Sequence, residues 1–176
     1  TSRMTYSPRN SPDGKTIAFT IGDVNFAQNR TWTQIYTMPA GGGQPTQVTK
    51  SDADKPSSSS MPRWSPDGKK IAFTRGGQVW TMDANGDDKK QITDISTGAG
   101  NPVWSPDGKL IAFSSEVFPD CTTDECNKRK DEEAENSKVK AIVTDRLLYR
   151  HWVEWRNVKR AHVFVVPSNG GNEKQI

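Results

Sequence analysis

The chain has 176 residues, a formal net charge of +3 and a hydrophobic fraction of 32%. This length can enclose one domain or form part of a larger one, and so small a positive excess does not predict nucleic-acid binding. No apolar run approaches the ~20 residues of a membrane-spanning helix and no signal peptide opens the chain, so we expect a soluble chain. With 14 Gly and 11 Pro, the composition favours many short strands joined by turns.

A repeated turn motif organises the chain. Ser-Pro-Asp-Gly-Lys occurs at 11–15, 65–69 and 105–109, and Ile-Ala-Phe follows each copy at the same offset. Each copy predicts a type I turn between two antiparallel strands, because Pro presets φ and Gly takes the left-handed conformation. The aspartates recur because such a turn needs a residue that bonds its own backbone, so we interpret them as structural and not catalytic: Asp13, Asp67 and Asp107.

Two further strands complete each repeat. Segments such as Gln-Val-Trp-Thr-Met begin at 34, 78 and 162, and their alternation is typical of a strand with one buried face. Each leads through a turn to a short segment near 47, 91 and 175. Glycine-containing pairs between them predict type I′ turns, in which both central residues need positive φ: Gly41-Gly42, Asn85-Gly86 and Asn169-Gly170. Four antiparallel strands per unit of about 40 residues predict a β-propeller blade.

The predicted fold class is all-β: a partial β-propeller of about three four-stranded antiparallel blades, with a partly helical insertion in the third. The predicted ranges are blade 1 at 1–49, a flexible linker at 50–60, blade 2 at 61–94, and blade 3 at 95–176 with its insertion at 115–161. Propellers close with about four to eight blades, so we expect an open arc that is a piece of a larger domain. Its unpaired terminal faces favour self-association.

One further repeat position and the insertion complete the structural expectations. Trp64 and Trp104 are expected to pack between neighbouring blades, whereas Asn10 stands at the equivalent position of the first unit and predicts an edge or distorted strand. Within the insertion, the charged segment 124–138 predicts a short exposed helix and 138–143 a strand.

The insertion also carries the candidate site. Aromatic rings beside arginines can stack ligands or recognise carboxylates, but charged runs more often cover a surface, so we favour a docking or structural role. The candidates for substrate recognition or domain docking are Glu132, Glu133, Arg146, Arg150, His151, Trp152, Glu154 and Trp155.

The sequence contains no motif for covalent chemistry. Gly-x-Ser-x-Gly, the Gly-x-x-x-x-Gly-Lys phosphate loop and His-Glu-x-x-His are all missing, so we predict no catalytic residue, no cofactor and no metal site. Cys121 and Cys126 either form a small disulfide loop in an oxidising compartment or remain reduced thiols in the cytosol. The two histidines lie too far from this pair to complete a zinc site with it.

The repeats resemble those of a known family. Trp-Ser-Pro-Asp-Gly-Lys-x-Ile-Ala-Phe, with Gln-Val-Trp-Thr-Met and Gln-Ile-Thr, is similar to the repeats of TolB-like periplasmic proteins. The N-terminal propellers of prolyl oligopeptidase-family serine peptidases share these repeats. The stretches at 116–121, 145–152 and 162–166 look like the third-blade excursion of the dipeptidyl aminopeptidase and acylaminoacyl-peptidase branch.

The resemblance implies a role in peptide hydrolysis without catalysis by this chain. It implies the propeller portion of a serine peptidase, which gates and helps recognise peptide substrates for an α/β-hydrolase domain missing from the sequence. In dipeptidyl-peptidases a propeller glutamate pair binds the substrate's amino group; Glu132 with Glu133, and Glu154, are the candidates here. The alternative is a stand-alone TolB-like propeller acting as a protein-interaction module. The resemblance favours a periplasmic or secreted, bacterial-type protein over a cytoplasmic one, with no nucleic-acid partner.

Overall fold

Three stretches of the chain each form a four-stranded antiparallel sheet. Sheet 1 contains β1 (Arg3–Asn10), β2 (Thr16–Asn25), β3 (Arg30–Pro39) and β4 (Thr46–Gln47). Sheet 2 contains β5 (Ser59–Trp64), β6 (Lys70–Arg75), β7 (Gln78–Asp83) and β8 (Lys90–Gln91). Sheet 3 begins with β9 (Gly100–Trp104) and β10 (Leu110–Val117), which helix α1 (Asp124–Asn136) follows. A two-stranded ribbon of β11 (Arg150–His151) and β12 (Glu154–Trp155) precedes β13 (Arg160–Pro167) and β14 (Lys174–Gln175), which complete sheet 3.

This architecture confirms the predicted all-β partial propeller with a helix in the third unit. The computed structural model describes residues 3–26, 29–51, 57–138, 150–151, 154–155 and 159–176. In each sheet the strands are ordered along the chain, so the first strand and the short fourth strand form the two edges. Helix α1 lies where the charged segment 124–138 predicts it, whereas most of the strand expected at 138–143 lies outside the described residues.

Some strand boundaries differ from the sequence prediction. β5 begins at Ser59, inside the predicted linker 50–60, because Ser59 and Ser60 pair with the end of β6. β1 is an edge strand and its register shifts once, as expected from Asn10. The first strands of sheets 2 and 3 shift in the same way, however, so the irregularity belongs to the repeat and does not come from Asn10.

The Ser-Pro-Asp-Gly turns have the predicted form. In the second copy, the Gly68 N–H donates to the Ser65 carbonyl at 2.9 Å, and Gly68 has a φ of +70°. Oδ1 of Asp67 accepts the Ser65 hydroxyl at 2.6 Å and the Lys69 N–H at 3.1 Å. The first and third copies repeat these bonds at the same distances. The structural interpretation of the three aspartates is therefore confirmed.

The predicted type I′ geometry of the later turns is wrong. Gly86 has a φ of +92° but Asn85 does not have a positive φ, and the Gly86 N–H donates to the Asp83 carbonyl at 2.8 Å. The glycine thus follows a turn centred on the two preceding residues, and Gly42 and Gly170 make the same bond. The connection from β7 to β8 is too long for a two-residue hairpin. A two-residue connection with positive φ at both positions joins β6 and β7, at Gly76 and Gly77.

Apolar side chains at repeat positions join the sheets. Between sheets 1 and 2 lie the buried residues Ala18, Ile35, Val48, Ile71, Phe73 and Met82. Between sheets 2 and 3 the pattern recurs with Ala72, Val79, Ile92, Ile111, Phe113 and Val166. The predicted packing of Trp64 and Trp104 between blades is confirmed, and each indole N–H donates at 3.0 Å to a carbonyl of the preceding sheet, on Arg9 and Arg63 respectively.

Candidate functional site

One end of the sheets carries the connections that vary between repeats. In an antiparallel sheet with this strand order, the link between the second and third strands and the exit from the fourth strand lie at the same end. We call this end the connection face: it comprises the described residues of the β2–β3, β6–β7 and β10–β13 connections and of the crossovers at 48–58 and 92–99. The long excursion of sheet 3 leaves from this face, so the candidate site is built on it.

A cleft of about 800 Å³ opens beside the β6–β7 turn. The crossover from sheet 1 supplies serines to its lining, and most of the rest comes from β5, β6, the β6–β7 turn and β7. Gln91 of β8, Ala99 of the crossover at 92–99 and Gly100 of β9 complete it. Six of the lining residues determine which groups a bound ligand would meet: Ser58, Ser60, Thr74, Arg75, Gly77 and Trp80. The hydroxyls of Ser60 and Thr74 lie 2.9 Å apart, and Ser58 accepts the Thr33 N–H at 3.2 Å. A volume in this range is typical of ligand sites, so the cleft can hold part of a peptide.

Arg75 is the charged residue in the cleft lining. Its Nε donates to Ser59 Oγ at 2.9 Å and its Nη2 to the Lys50 carbonyl at 3.2 Å. The guanidinium carbon lies 5.6 Å from the ring centroid of Phe73 and 5.8 Å from that of Trp80. Burial lowers the pKa of the half-buried Arg75 guanidinium, which nevertheless remains charged. Within the described ranges, no carboxylate lies at ion-pair distance from it.

The start of helix α1 is fastened to the connection face. Thr123 is the N-cap, and its hydroxyl accepts the Cys126 N–H at 3.3 Å. The buried side chain of Asn127 accepts the Phe118 N–H at 2.9 Å and donates to the Thr123 carbonyl at 3.0 Å. Asp124 accepts the N–H of Ser96 at 3.0 Å and its hydroxyl at 2.8 Å. These bonds fix the helix against the crossover at 92–99.

A disulfide and a lysine cluster reinforce the same region. Cys121 and Cys126 are joined by a disulfide, with Cα atoms 5.5 Å apart. Lys130 and Lys159 each lie 5.1 Å from the ring centroid of Phe118. Lys159 pairs with Asp131 of α1 at 2.6 Å, so the helix is tied to the residue that precedes β13.

The structure places the predicted site residues on two separate elements. Glu132 and Glu133 are exposed on α1, and Glu133 pairs with Arg129 at 3.8 Å one turn earlier. The ribbon pairs Arg150 with Trp155 and His151 with Glu154, so its backbone brings four candidates together. Arg146 and Trp152 lie outside the described residues.

Sequence reasoning missed Arg75. The signal was present, because Arg75 stands at a repeat position that holds Ile21 in the first unit and Ser115 in the third. A charged residue at a position where the other units have none is not required by the blade. The sequence does not show the surroundings of Arg75, because these depend on the path of the chain that places Lys50 and Ser59 against its guanidinium.

In the described part of the chain, no group of three or more His, Cys, Asp and Glu side chains is placed to hold a metal ion. In those same residues, no helix has the length and apolar character required to cross a bilayer.

The chain is similar to known propellers and peptidases. The family model PD40, the TolB beta propeller domain, matches residues 1–132. Dipeptidyl-peptidase 5 of Porphyromonas endodontalis is 29% identical over 161 residues, which are 88% of this chain and 21% of that protein. The uncharacterized peptidase YuxL of Bacillus subtilis is 31% identical over 99 residues, 52% of this chain and 14% of that protein. The chain therefore spans about a fifth or less of these two relatives.

A solved structure supports the fold. The acylaminoacyl peptidase of Pyrococcus horikoshii superposes with a TM-score of 0.70 at 18% identity, over 99% of this chain and 25% of that one. At this identity the likeness concerns the fold alone.

Proposed function

This chain belongs to the TolB β-propeller domain family, and we propose that it is the non-catalytic propeller portion of a serine-type peptidase. In this role it gates and helps recognise peptide substrates for an α/β-hydrolase domain of the same protein. The observation that carries the proposal is the match to dipeptidyl-peptidase 5, which extends along 88% of this chain but only 21% of that enzyme. The matched segment is thus one portion of a much longer peptidase.

The excursion from sheet 3 supports a recognition role. Insertions in repeat proteins map to loops on one face, which is often the binding face. Here the excursion between Val117 and Arg160 leaves from the connection face, and its helix is held there by Asp124 and Asn127. A fixed helix on that face can present side chains to a substrate without further ordering.

Within this proposal the predicted residues have two roles. Glu132, Glu133 and Glu154 bind the amino group of the substrate, because a carboxylate is the natural partner of an ammonium ion. The remaining residues contact substrate or the hydrolase domain: Arg146, Arg150, His151, Trp152 and Trp155.

We also propose that the protein works in the periplasm or outside the cell. The disulfide between Cys121 and Cys126 supports this location, because disulfides persist in oxidising compartments and are rare in the cytosol.

The amino-group role can be tested by kinetics on the full-length protein. We expect the double variant Glu132→Gln/Glu133→Gln to raise KM about tenfold for dipeptide substrates with a free amino group, which corresponds to one lost charged contact. The same substrates with an acylated amino group should keep their KM. As a control, Glu135→Gln removes one negative charge from the same helix and should leave the KM of both kinds of substrate unchanged.

Two results would contradict this assignment. The first is an unchanged KM for the free-amine substrates in the double variant. The second is an equal rise for free and acylated substrates, which would indicate a general effect of the helix and not recognition of the amino group.

A further inference from the structure

We propose that Arg75 binds a carboxylate of the peptide substrate in the cleft beside the β6–β7 turn. This inference rests on the proposed function, because that function supplies the peptide. It goes further by naming a recognition residue in sheet 2, remote in sequence from the excursion of sheet 3, and the chemical group that the residue selects.

The repeat shows that the blade architecture does not need this arginine. Arg75 pairs with Gln78 at the end of β6, and the equivalent pairs are Ile21 with Gln34 and Ser115 with His162. The residues that shape the blade recur, as Ile-Ala-Phe does three times. A cation found in one unit alone therefore serves a purpose specific to the surroundings of that unit.

The surroundings of Arg75 leave part of its hydrogen-bonding capacity available. A guanidinium has five N–H donors, and among the described residues two of them are used, on Ser59 and the Lys50 carbonyl. These two bonds and the rings of Phe73 and Trp80 fix the orientation of the planar group. Because two parallel N–H groups match the two oxygens of a carboxylate, a fixed guanidinium is well suited to bidentate binding.

The charge of Arg75 also favours an anionic ligand. A half-buried cation loses part of its hydration, and in the described part of the chain no carboxylate compensates it at ion-pair distance. A ligand carboxylate would offset that loss, and it would do so more strongly in a sheltered cleft than at an open surface.

The cleft is accessible from the turn and suited to a peptide. An added Cβ at Gly76 or Gly77 would meet no atom within 4 Å, so the side of the cleft formed by this turn is open. Hydroxyls of Ser58, Ser60 and Thr74 can bond a peptide backbone, and Trp80 offers an apolar surface. Because the β6–β7 turn and the excursion of sheet 3 belong to the same connection face, one substrate can contact both.

The carboxylate has two sources in a peptide, an acidic side chain and the C-terminus. Calorimetric titration of the full-length protein, inactivated by a serine-directed reagent, separates them with three short peptides of otherwise identical sequence. One carries Glu and an amidated C-terminus, one carries Gln and a free C-terminus, and one carries Gln and an amidated C-terminus. We expect one of the first two to bind at least about tenfold more tightly than the third, in line with a charge-assisted bidentate contact.

The variants assign this preference to Arg75. In Arg75→Gln the tenfold preference should disappear while the affinity for the neutral peptide stays the same. Arg75→Lys should keep only part of it, because an ammonium lacks the planar fork. Arg63→Gln is the matched control, since Arg63 lies in β5 of the same sheet but does not line the cleft, and it should retain the full preference.

A second measurement avoids variants altogether. Phenylglyoxal modifies arginines, and mass spectrometry should find Arg75 of the wild-type protein protected by the preferred carboxylate-bearing peptide and not by the peptide with Gln and an amidated C-terminus. Equal modification of Arg75 with both peptides would overturn the inference, as would a preference that survives in Arg75→Gln. Wild-type protein that binds all three peptides equally overturns this inference alone, whereas wild-type protein that binds none of them contradicts the proposed function as well.

Discussion

At the scale of single residues, the turn aspartates couple the fold to pH. The Ser65 hydroxyl, followed by the Lys69 N–H, holds the pKa of Asp67 below its usual range. The equivalent serine hydroxyl and lysine N–H of the other two turns lower the pKa values of Asp13 and Asp107. A carboxylate with a lowered pKa in the folded state contributes stability that is present above the pKa of the unfolded chain. That contribution is lost as the pH falls through the pKa of the folded state.

The variant Asp67→Asn tests this dependence of stability on pH. Wild-type protein should lose stability between about pH 5 and pH 2, and the variant should lose less over this range because one of the coupled carboxylates is gone. Urea unfolding at several pH values measures the difference. Ser65→Ala should reduce the same slope, since its hydroxyl is the largest cause of the shift. Identical pH slopes in wild type and Asp67→Asn would refute this coupling.

Individual residues also show where sequence reasoning succeeds and where it stops. The glycine and aspartate of the Ser-Pro-Asp-Gly turns could be predicted because their partners lie within a few residues in the chain. The interaction of Arg75 with Lys50 and Ser59 could not, since it depends on the path of the crossover from sheet 1. The same limit applies to Asn85, whose φ is set by the length of the β7–β8 connection and not by its own identity.

At the scale of elements, the later turns act in contacts between sheets. Gly86 follows the turn after β7, and a Cβ added to it would lie 2.8 Å from the Val48 carbonyl oxygen and 2.9 Å from Val48 Cβ. Gly42 occupies the equivalent turn of sheet 1 with a φ of +100°, but an added Cβ there would meet nothing within 4 Å. The two positions share a backbone conformation and differ in their neighbours.

This pair predicts a difference in stability. Gly42→Ala should lower the free energy of unfolding by about 1 kcal/mol, the cost of a positive φ at a residue with a Cβ. Gly86→Ala should lower it by roughly 1–3 kcal/mol more, because the sheets must also move apart. Chemical denaturation measures both values. An equal loss in the two variants would show that sheet 1 and sheet 2 do not meet closely at Val48.

Sheet packing itself was largely predictable, because the repeat places equivalent apolar residues in successive units. Trp64 and Trp104 were expected between the blades and lie there. Their hydrogen bonds to Arg9 and Arg63 could not be predicted, since the pattern of a strand does not reveal which carbonyl of the preceding sheet an indole will reach. The start of β5 was misplaced for a similar reason: serines favour loops, but the pairing of Ser59 with Arg75 extends the strand.

At the scale of the whole molecule, the sheets stack in one direction and leave a face of sheet 3 exposed. Val163 and Ile176 are 48% and 72% exposed, whereas the equivalent residues Val79 and Ile92 of sheet 2 are buried against sheet 3. The exposed Val163 and Ile176 are apolar, as are the equivalent residues that are buried between sheets 2 and 3. The self-association expected from the sequence stays a prediction, as do the proposed boundaries of the three blades.

We propose that this chain serves peptide hydrolysis without performing it, and chromogenic dipeptide hydrolysis tests this proposal most directly. The rate should be measured with the full-length protein and with residues 1–176 alone, each with and without a serine-directed inhibitor. The account predicts hydrolysis by the full-length protein, its loss with the inhibitor, and no hydrolysis by residues 1–176. Hydrolysis by residues 1–176, or a full-length protein that leaves dipeptide and acylaminoacyl substrates intact, would contradict it.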